Sequence, residues 1–172
     1  DAILWDFDGT LADSAAKNIA ITKTILEQVA PHLCGDNLPK SLSSKAEYHI
    51  ANHGADHWRD LYRDYFGLTA EEIEVAGPMW APHQLLDQTE VTLFSGVTEI
   101  IERFAGYPQG ICSANASPLI RQVLEKHGVH HRFQSVIGYE NLPEEQQKPA
   151  PDGGLKCLAE MFEDSRNKTI IF

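Results

Sequence analysis

Ala2-Ile3-Leu4-Trp5-Asp6-Phe7-Asp8-Gly9-Thr10, running on into Leu11-Ala12-Asp13-Ser14, is the stretch on which the fold turns. Ala2 to Phe7 read as a short apolar run that Asp8-Gly9 ends, the pattern of a buried strand emptying into a loop. Asp6 and Asp8 therefore stand one alternation apart where the strand gives out.

Working outward, Ser14 to Ala30 predicts a helix, with Ile21, Ile25 and Val29 four residues apart and Pro31 as the stop. Pro31 to Ser44, carrying Gly, Asn, Pro and Ser, reads as loop. Trp58, Leu61, Tyr62 and Tyr65 stand at i, i+3, i+4 and i+7, an amphipathic helix ended by Gly67. Thr69 and Glu72 form a capping-box pattern, and Pro78 and Pro82 break the stretch beyond it into short pieces. From residue 15 to residue 90 the pattern is helical, with no strand. After that it alternates. Val97–Phe104 reads as helix and Gln109–Ala114 as strand. Ser117-Pro118 reads as an N-cap with Pro at the first helical position of a helix reaching Gly128. Phe133–Ile137 reads as strand, Leu155 to Phe162 as helix, and Lys168–Phe172 as strand. Strands alternating with helices predict a parallel sheet. The expected organisation is a discontinuous α/β core, residues 1–14 and 91–172, with a helical insertion over 15–90.

The 172 residues are 42% hydrophobic and 23% charged, ordinary globular composition. No window approaches the roughly 18 apolar residues of a membrane span, and no basic-then-apolar leader opens the chain. The chain begins on Asp1, already inside an apolar run, which suggests a trimmed start. A formal charge of −11 with no basic stripe argues against a nucleic-acid partner, as the lack of an apolar span argues against a membrane one. Cys34, Cys112 and Cys157 fit neither a disulfide framework nor a zinc knuckle and read as cytosolic thiols. His49, His53 and His57, four residues apart, lack the Glu of an HExxH site and read as surface or packing residues.

In open α/β sheets ligands bind beyond the carboxyl ends of the strands, and the polar punctuation falls there. Asp6, Asp8, Gly9 and Thr10 follow the first strand; Ser113 and Asn115 follow the second; Lys148, then Pro149-Ala150-Pro151, lies between the third strand and the next helix. Carboxylates, hydroxyl, amide and ammonium converging on one edge suit a phosphate and a divalent cation. Asp6-Phe7-Asp8-Gly9-Thr10, Ile111-Cys112-Ser113-Ala114-Asn115 and Lys148-Pro149-Ala150-Pro151-Asp152 resemble, in order and approximate spacing, the first three motifs of the haloacid dehalogenase-like superfamily. The resemblance covers nearly the whole chain. The insertion resembles the cap of its phosphoglycolate phosphatase and β-phosphoglucomutase branch.

The resemblance implies an α/β, Rossmann-like three-layer parallel sheet core with an inserted helical cap. It implies Mg²⁺-dependent hydrolysis of a small phosphorylated metabolite in the cytoplasm, by a monomer or homodimer. Asp6 is carried over as nucleophile and metal ligand. Asp8 is carried over as general acid/base, with its backbone carbonyl on the metal, and Lys148 as the neutralising cation. Gly9, Thr10, Ser113, Ala114, Asn115 and Lys148 form the phosphate-binding set, with backbone N–H groups beside Ser113 contributing. Lys40, Ser43 and Lys45 are the candidates for substrate choice. The alternatives are a phosphosugar mutase, a phosphonatase using Lys40 or Lys45 as Schiff base, and a non-catalytic relative binding phosphate or a partner; Asp8 speaks against a dehalogenase. A fourth acidic motif after Lys168–Phe172 completes the family's metal site. The sequence ends at Phe172, so the expectation is a chain truncated at the C-terminus that holds Mg²⁺ poorly. Glu163 and Asp164 precede that strand, about 16 Å away from the site and too far to ligate.

Overall fold

The computed structural model describes residues 1–162, 170 and 171. The chain runs through β1 (Ala2–Trp5), β2 (Ala12–Asp13), α1 (Ala15–Val29), α2 (Lys45–Gly54), α3 (Trp58–Asp60), α4 (Ala70–Ala76) and α5 (Trp80–Leu86). It continues through β3 (Thr92–Leu93), α6 (Val97–Arg103), β4 (Gln109–Cys112), α7 (Ser117–Lys126), β5 (Phe133–Ile137), α8 (Asp152–Met161) and β6 (Ile170–Ile171). Two compact units result: Asp1–Asp13 with Val91–Phe172, and Ser14–Glu90.

The first unit is an α/β fold on a four-stranded parallel sheet in the order β5-β4-β1-β6. Residue alternation along β4 explains its three layers. Ile111 points into a cluster with Ile101 of α6, Ile120, Val123 and Leu124 of α7, and Val136 of β5. Cys112 points the other way, into a cluster with Leu4, Ile137 and Cys157 of α8. Small residues let α8 lie close: a Cβ on Gly153 would come within 2.6 Å of the Cys112 Sγ. Because β1 pairs with β4 on one side and β6 on the other, the strand order reverses at β1. That is where an open α/β sheet forms its ligand crevice.

The second unit is helical throughout, around Ile21, Ile25 and Leu26 of α1 with Leu42, Tyr62, Phe66 and Ile73. Near its two chain ends, buried Lys17 pairs with Asp87: its Nζ donates to the Asp87 carbonyl at 2.5 Å and lies 3.5 Å from Oδ1. The Thr69–Glu72 capping box forms reciprocally, Thr69 N–H to Glu72 Oε2 at 2.8 Å and Glu72 N–H to Thr69 Oγ1 at 3.3 Å. Trp58, Tyr62, Tyr65 and Phe66 belong to this core. His57 caps α3, its Nδ1 accepting from the Arg59 N–H.

Three expectations are corrected. Residues 31–44 are not plain loop: Pro31–Leu33, Gly35–Asn37 and Lys40–Leu42 each make one 3₁₀ turn. The helix expected over 58–65 is α only to Asp60, then widens over Leu61–Tyr65, where the Phe66 N–H reaches back to the Leu61 carbonyl. Ser117 is not an N-cap. Ala116 holds that position and Ser117 is already helical, its N–H and hydroxyl both donating to the Glu140 carboxylate. Glu163, Asp164, Lys168, Thr169 and Phe172 lie outside the described residues; within the expected last strand, Ile170 and Ile171 pair with Ala2 and Ile3.

Candidate active site

The site is built where β1 ends. Phe7 is wholly buried, which fixes the chain between the two aspartates and leaves Asp6 and Asp8 half-buried at the sheet edge. The turn beyond is tight. The Phe7 carbonyl accepts from the Leu11 and Ala12 N–H groups at 3.0 and 2.9 Å, and the Gly9 N–H donates to the Ala12 carbonyl at 2.9 Å. Gly9 sits at φ +75°, in the left-handed region where a side chain is strained. Its N–H is thus committed to the turn.

Each aspartate has its own partners. The Lys148 Nζ donates to Asp6 Oδ1 at 2.7 Å, and the Thr10 hydroxyl reaches Asp6 Oδ2 at 3.4 Å. The Ser113 hydroxyl donates to Asp8 Oδ2 at 3.3 Å, and the Asn115 amide to Asp8 Oδ1 at 3.0 Å. One edge of the sheet therefore gathers Asp6, Asp8, Thr10, Ser113, Asn115 and Lys148, from segments up to 142 residues apart in sequence.

The loop after β4 differs in detail from its sequence reading. The Ser113 N–H donates to the Ile137 carbonyl at 3.0 Å, the Asn115 N–H to the Ser113 Oγ at 3.0 Å, and the Ala116 N–H to the Asn115 Oδ1 at 2.7 Å. These backbone groups are spent on β5 and on the loop itself. The N–H of Ala114, exposed at the tip, is the loop's candidate donor to a ligand. Asn115, 3% exposed, is turned onto Asp8 rather than outward. Behind the loop, burial pushes the Cys112 thiol up, which suits a packing residue and not a nucleophile.

Lys40, Ser43 and Lys45 lie in the helical unit. The Lys40 Nζ is 3.0 Å from Glu47, and the Ser43 hydroxyl donates to the Lys40 carbonyl at 2.6 Å.

For a metal, the donor set is the test. The carboxylates of Asp6 and Asp8 are hard oxygen donors of the kind Mg²⁺ takes. Both Asp8 oxygens already accept from neutral donors, whereas among the described residues Asp6 Oδ2 has only the long Thr10 contact, so Asp6 is the better placed ligand. The residues fit Mg²⁺. Among the described residues no group of three or more His, Cys, Asp or Glu side chains is placed to hold a metal. No described helix is long and apolar enough to cross a membrane.

Comparison with known proteins agrees with this layout. A comparison with curated sequences finds no significant match. Among solved structures, a predicted phosphoglycolate phosphatase from Haemophilus somnus 129PT superposes with a TM-score of 0.63 at 22% identity, covering 92% of this chain and 70% of that one. A haloacid dehalogenase-like family hydrolase from Streptococcus pneumoniae gives 0.66 at 17% identity, over 92% and 68% of the two chains. A Bacteroides fragilis protein described as a haloacid dehalogenase-like hydrolase gives 0.69 at 21% identity, over 92% and 71%. These likenesses establish the fold. The sequence profile of haloacid dehalogenase-like hydrolases matches residues 3–172, and with it the chain belongs to that family.

Proposed function

We propose that this hydrolase cleaves small phosphomonoesters through a phosphoaspartyl intermediate on Asp6. The observation that carries the reading is the pairing of two differently held carboxylates at one sheet edge. Asp6 lies against the Lys148 ammonium, and Asp8 lies in a cradle of neutral donors. In the first step an Asp6 carboxylate oxygen forms a bond to phosphorus, and the ester oxygen–phosphorus bond breaks as Asp8 gives its proton to the departing alcohol. In the second step water attacks phosphorus, Asp8 takes its proton, and the Asp6 carboxylate is released with inorganic phosphate. Lys148 offsets negative charge shared between nucleophile and phosphoryl group. The Ser113 hydroxyl and the Ala114 N–H hold phosphoryl oxygens, with Thr10 beside Asp6. Mg²⁺ would be held by the Asp6 carboxylate and the Asp8 backbone carbonyl, and when bound it screens the repulsion between the anionic nucleophile and the anionic ester.

The phosphatase assignment of the H. somnus neighbour supports phosphomonoesters as the substrate class. The three free thiols support a reducing compartment, the cytoplasm. A small phosphorylated metabolite is the proposed substrate, with Lys40, Ser43 and Lys45 as candidates for selecting its leaving group.

The test is release of inorganic phosphate from an aryl phosphate, with Mg²⁺ and with chelator. Turnover should require the cation, and Asp6→Asn should abolish it. Wild-type turnover by Asp6→Asn would refute the assignment of the nucleophile.

A further inference from the structure

The loop after β5 grips the loop after β4, and the grip runs through a residue that the mechanism above leaves unused. Glu140 Oε1 accepts the Ser117 N–H at 2.9 Å and also the Ser117 hydroxyl. Two residues earlier, Gly138 is buried so closely that a Cβ there would collide with the Ser117 nitrogen and the Asn115 carbonyl oxygen. Between them, the Tyr139 N–H donates to that same Asn115 carbonyl at 3.2 Å. The Gly138 N–H is tied in turn to Asn141 Oδ1 at 2.8 Å, which braces the gripping loop. Three successive residues, 138 to 140, therefore meet the segment from Asn115 to Ser117 through packing, a backbone bond and a carboxylate.

That segment carries the donors on Asp8. The Asn115 amide reaches Asp8 Oδ1, and the Asn115 N–H orients the Ser113 hydroxyl that reaches Asp8 Oδ2. A path of direct bonds leads from Glu140 through Ser117, the first helical residue of α7, to the segment that fixes the acid/base.

We propose that Glu140 is the positioning residue for Asp8: by anchoring Ser117 it holds the Ser113–Asn115 loop in the register that aims the Asp8 carboxyl at the leaving group. This rests on the phosphatase reading above. The physical need is plain. A general acid contributes about 10²- to 10⁴-fold, and only when it is within hydrogen-bond reach of the oxygen it protonates. A displacement of about 1 Å can cost about 10²-fold. Glu140 carries negative charge near a site for anions, and the N–H groups at the start of α7, a ten-residue helix, offset that charge.

The leaving group separates this role from simple helix capping. An alkyl phosphate needs a proton on its departing oxygen, while an activated ester such as 2,4-dinitrophenyl phosphate does not. Glu140→Ala should lower kcat for an alkyl phosphate about ten- to a hundredfold and kcat for the activated ester by no more than about threefold. Glu140→Gln keeps an acceptor oxygen for Ser117 and should recover most of the loss. Ser117→Ala removes one of the two bonds, and should show the same ordering of substrates on a smaller scale whether or not Glu140→Ala folds. Equal loss on both esters, in Glu140→Ala or, should that variant fail to fold, in Ser117→Ala, would overturn the proposal. A wild-type protein inert toward both esters would instead refute the phosphatase reading. In that case amide exchange still tests the grip: Glu140→Ala or Ser117→Ala should lose protection at Asn115 and Ala116, and unchanged protection would overturn it.

Discussion

Replacing Lys148 with Met should separate what the Lys148–Asp6 pair does for folding from what it does for chemistry. The two side chains are 39% and 42% exposed at an Nζ–Oδ1 distance of 2.7 Å. At that exposure water and salt screen the attraction, and fixing the long lysine side chain costs entropy, so an exposed pair contributes about 0.2–1 kcal/mol to stability. Met keeps an unbranched apolar stem and removes only the charge. The melting temperature should then fall by no more than about 4 °C for a chain of this size. In the proposed mechanism the transition state is different: the phosphoryl group would displace water from around the pair, and charge shared by nucleophile and phosphate would build beside the ammonium. Removing such a charge from a preorganised site costs about 10²- to 10³-fold, or roughly 2.7–4 kcal/mol. Urea denaturation and initial rates on one aryl phosphate, measured on the same preparations, give both numbers. A stability loss above about 2 kcal/mol would show that the ion pair is structural. A rate loss under about tenfold would show that Lys148 does not face the reacting phosphate, and either result refutes the reasoning.

Two further outcomes concern groups away from the site. Burial pushes the Asp87 carboxyl up, but its bonds from the Thr89 N–H and side chain and the Lys17 ammonium together hold it below the ordinary carboxylate range. A depressed folded-state value stabilises the protein above the unfolded-state value of about 3.9 and is lost as pH falls through the folded value. Stability should therefore drop on acidification below about pH 4. Lys17→Met should be destabilised by about 1–3 kcal/mol at pH 7 and should show a shallower acid loss, both read by urea titration at several pH values. Burial raises the Cys112 thiol and pushes Cys157 up to about 11, while Cys34 is half-buried. A thiol reagent at pH 8 should label Cys34 first in the native protein, as peptide mapping would show; earlier labelling of Cys112 would contradict the packing described.

The fold was legible because its signals are local and repeated. Phe133–Ile137 is a strand at the bounds its apolar run suggests, and Thr69–Glu72 caps a helix as its spacing requires. Such features depend on a residue's own turn or its own alternation. The departures are tertiary. Nothing within Leu61–Tyr65 announces a widened turn; it arises where the aromatic side chains Trp58, Tyr62 and Phe66 stack into the helical core. The 3₁₀ turns between Pro31 and Leu42 were hidden because Gly, Asn and Pro report only that the chain turns, not which hydrogen bond closes the turn.

The site was legible to the extent that its chemistry sits on charged residues at strand ends. Asp6, Asp8 and Lys148 could be singled out because carboxylate and ammonium groups at that edge have few structural uses. The bond from Asn115 to Asp8 and the part played by Glu140 were not legible, for one shared reason. Their work is done through bonds to other protein groups, and a sequence lists donors and acceptors without saying which pair. Ser117 shows the consequence. Read locally, a serine before Pro118 is an N-cap, since that is the commonest way to satisfy the first N–H groups of a helix. In the fold Glu140 supplies the acceptor from the neighbouring strand's loop, and the serine becomes a donor. Once the cap is provided from outside the helix, the start of α7 and the loop before it depend on the loop after β5. A signal did exist: Gly138-Tyr139-Glu140 puts an acid just beyond the third strand, at the same edge as every other group of the site. Its meaning required knowing that β5 lies next to β4, and that pairing is a property of the sheet rather than of either segment.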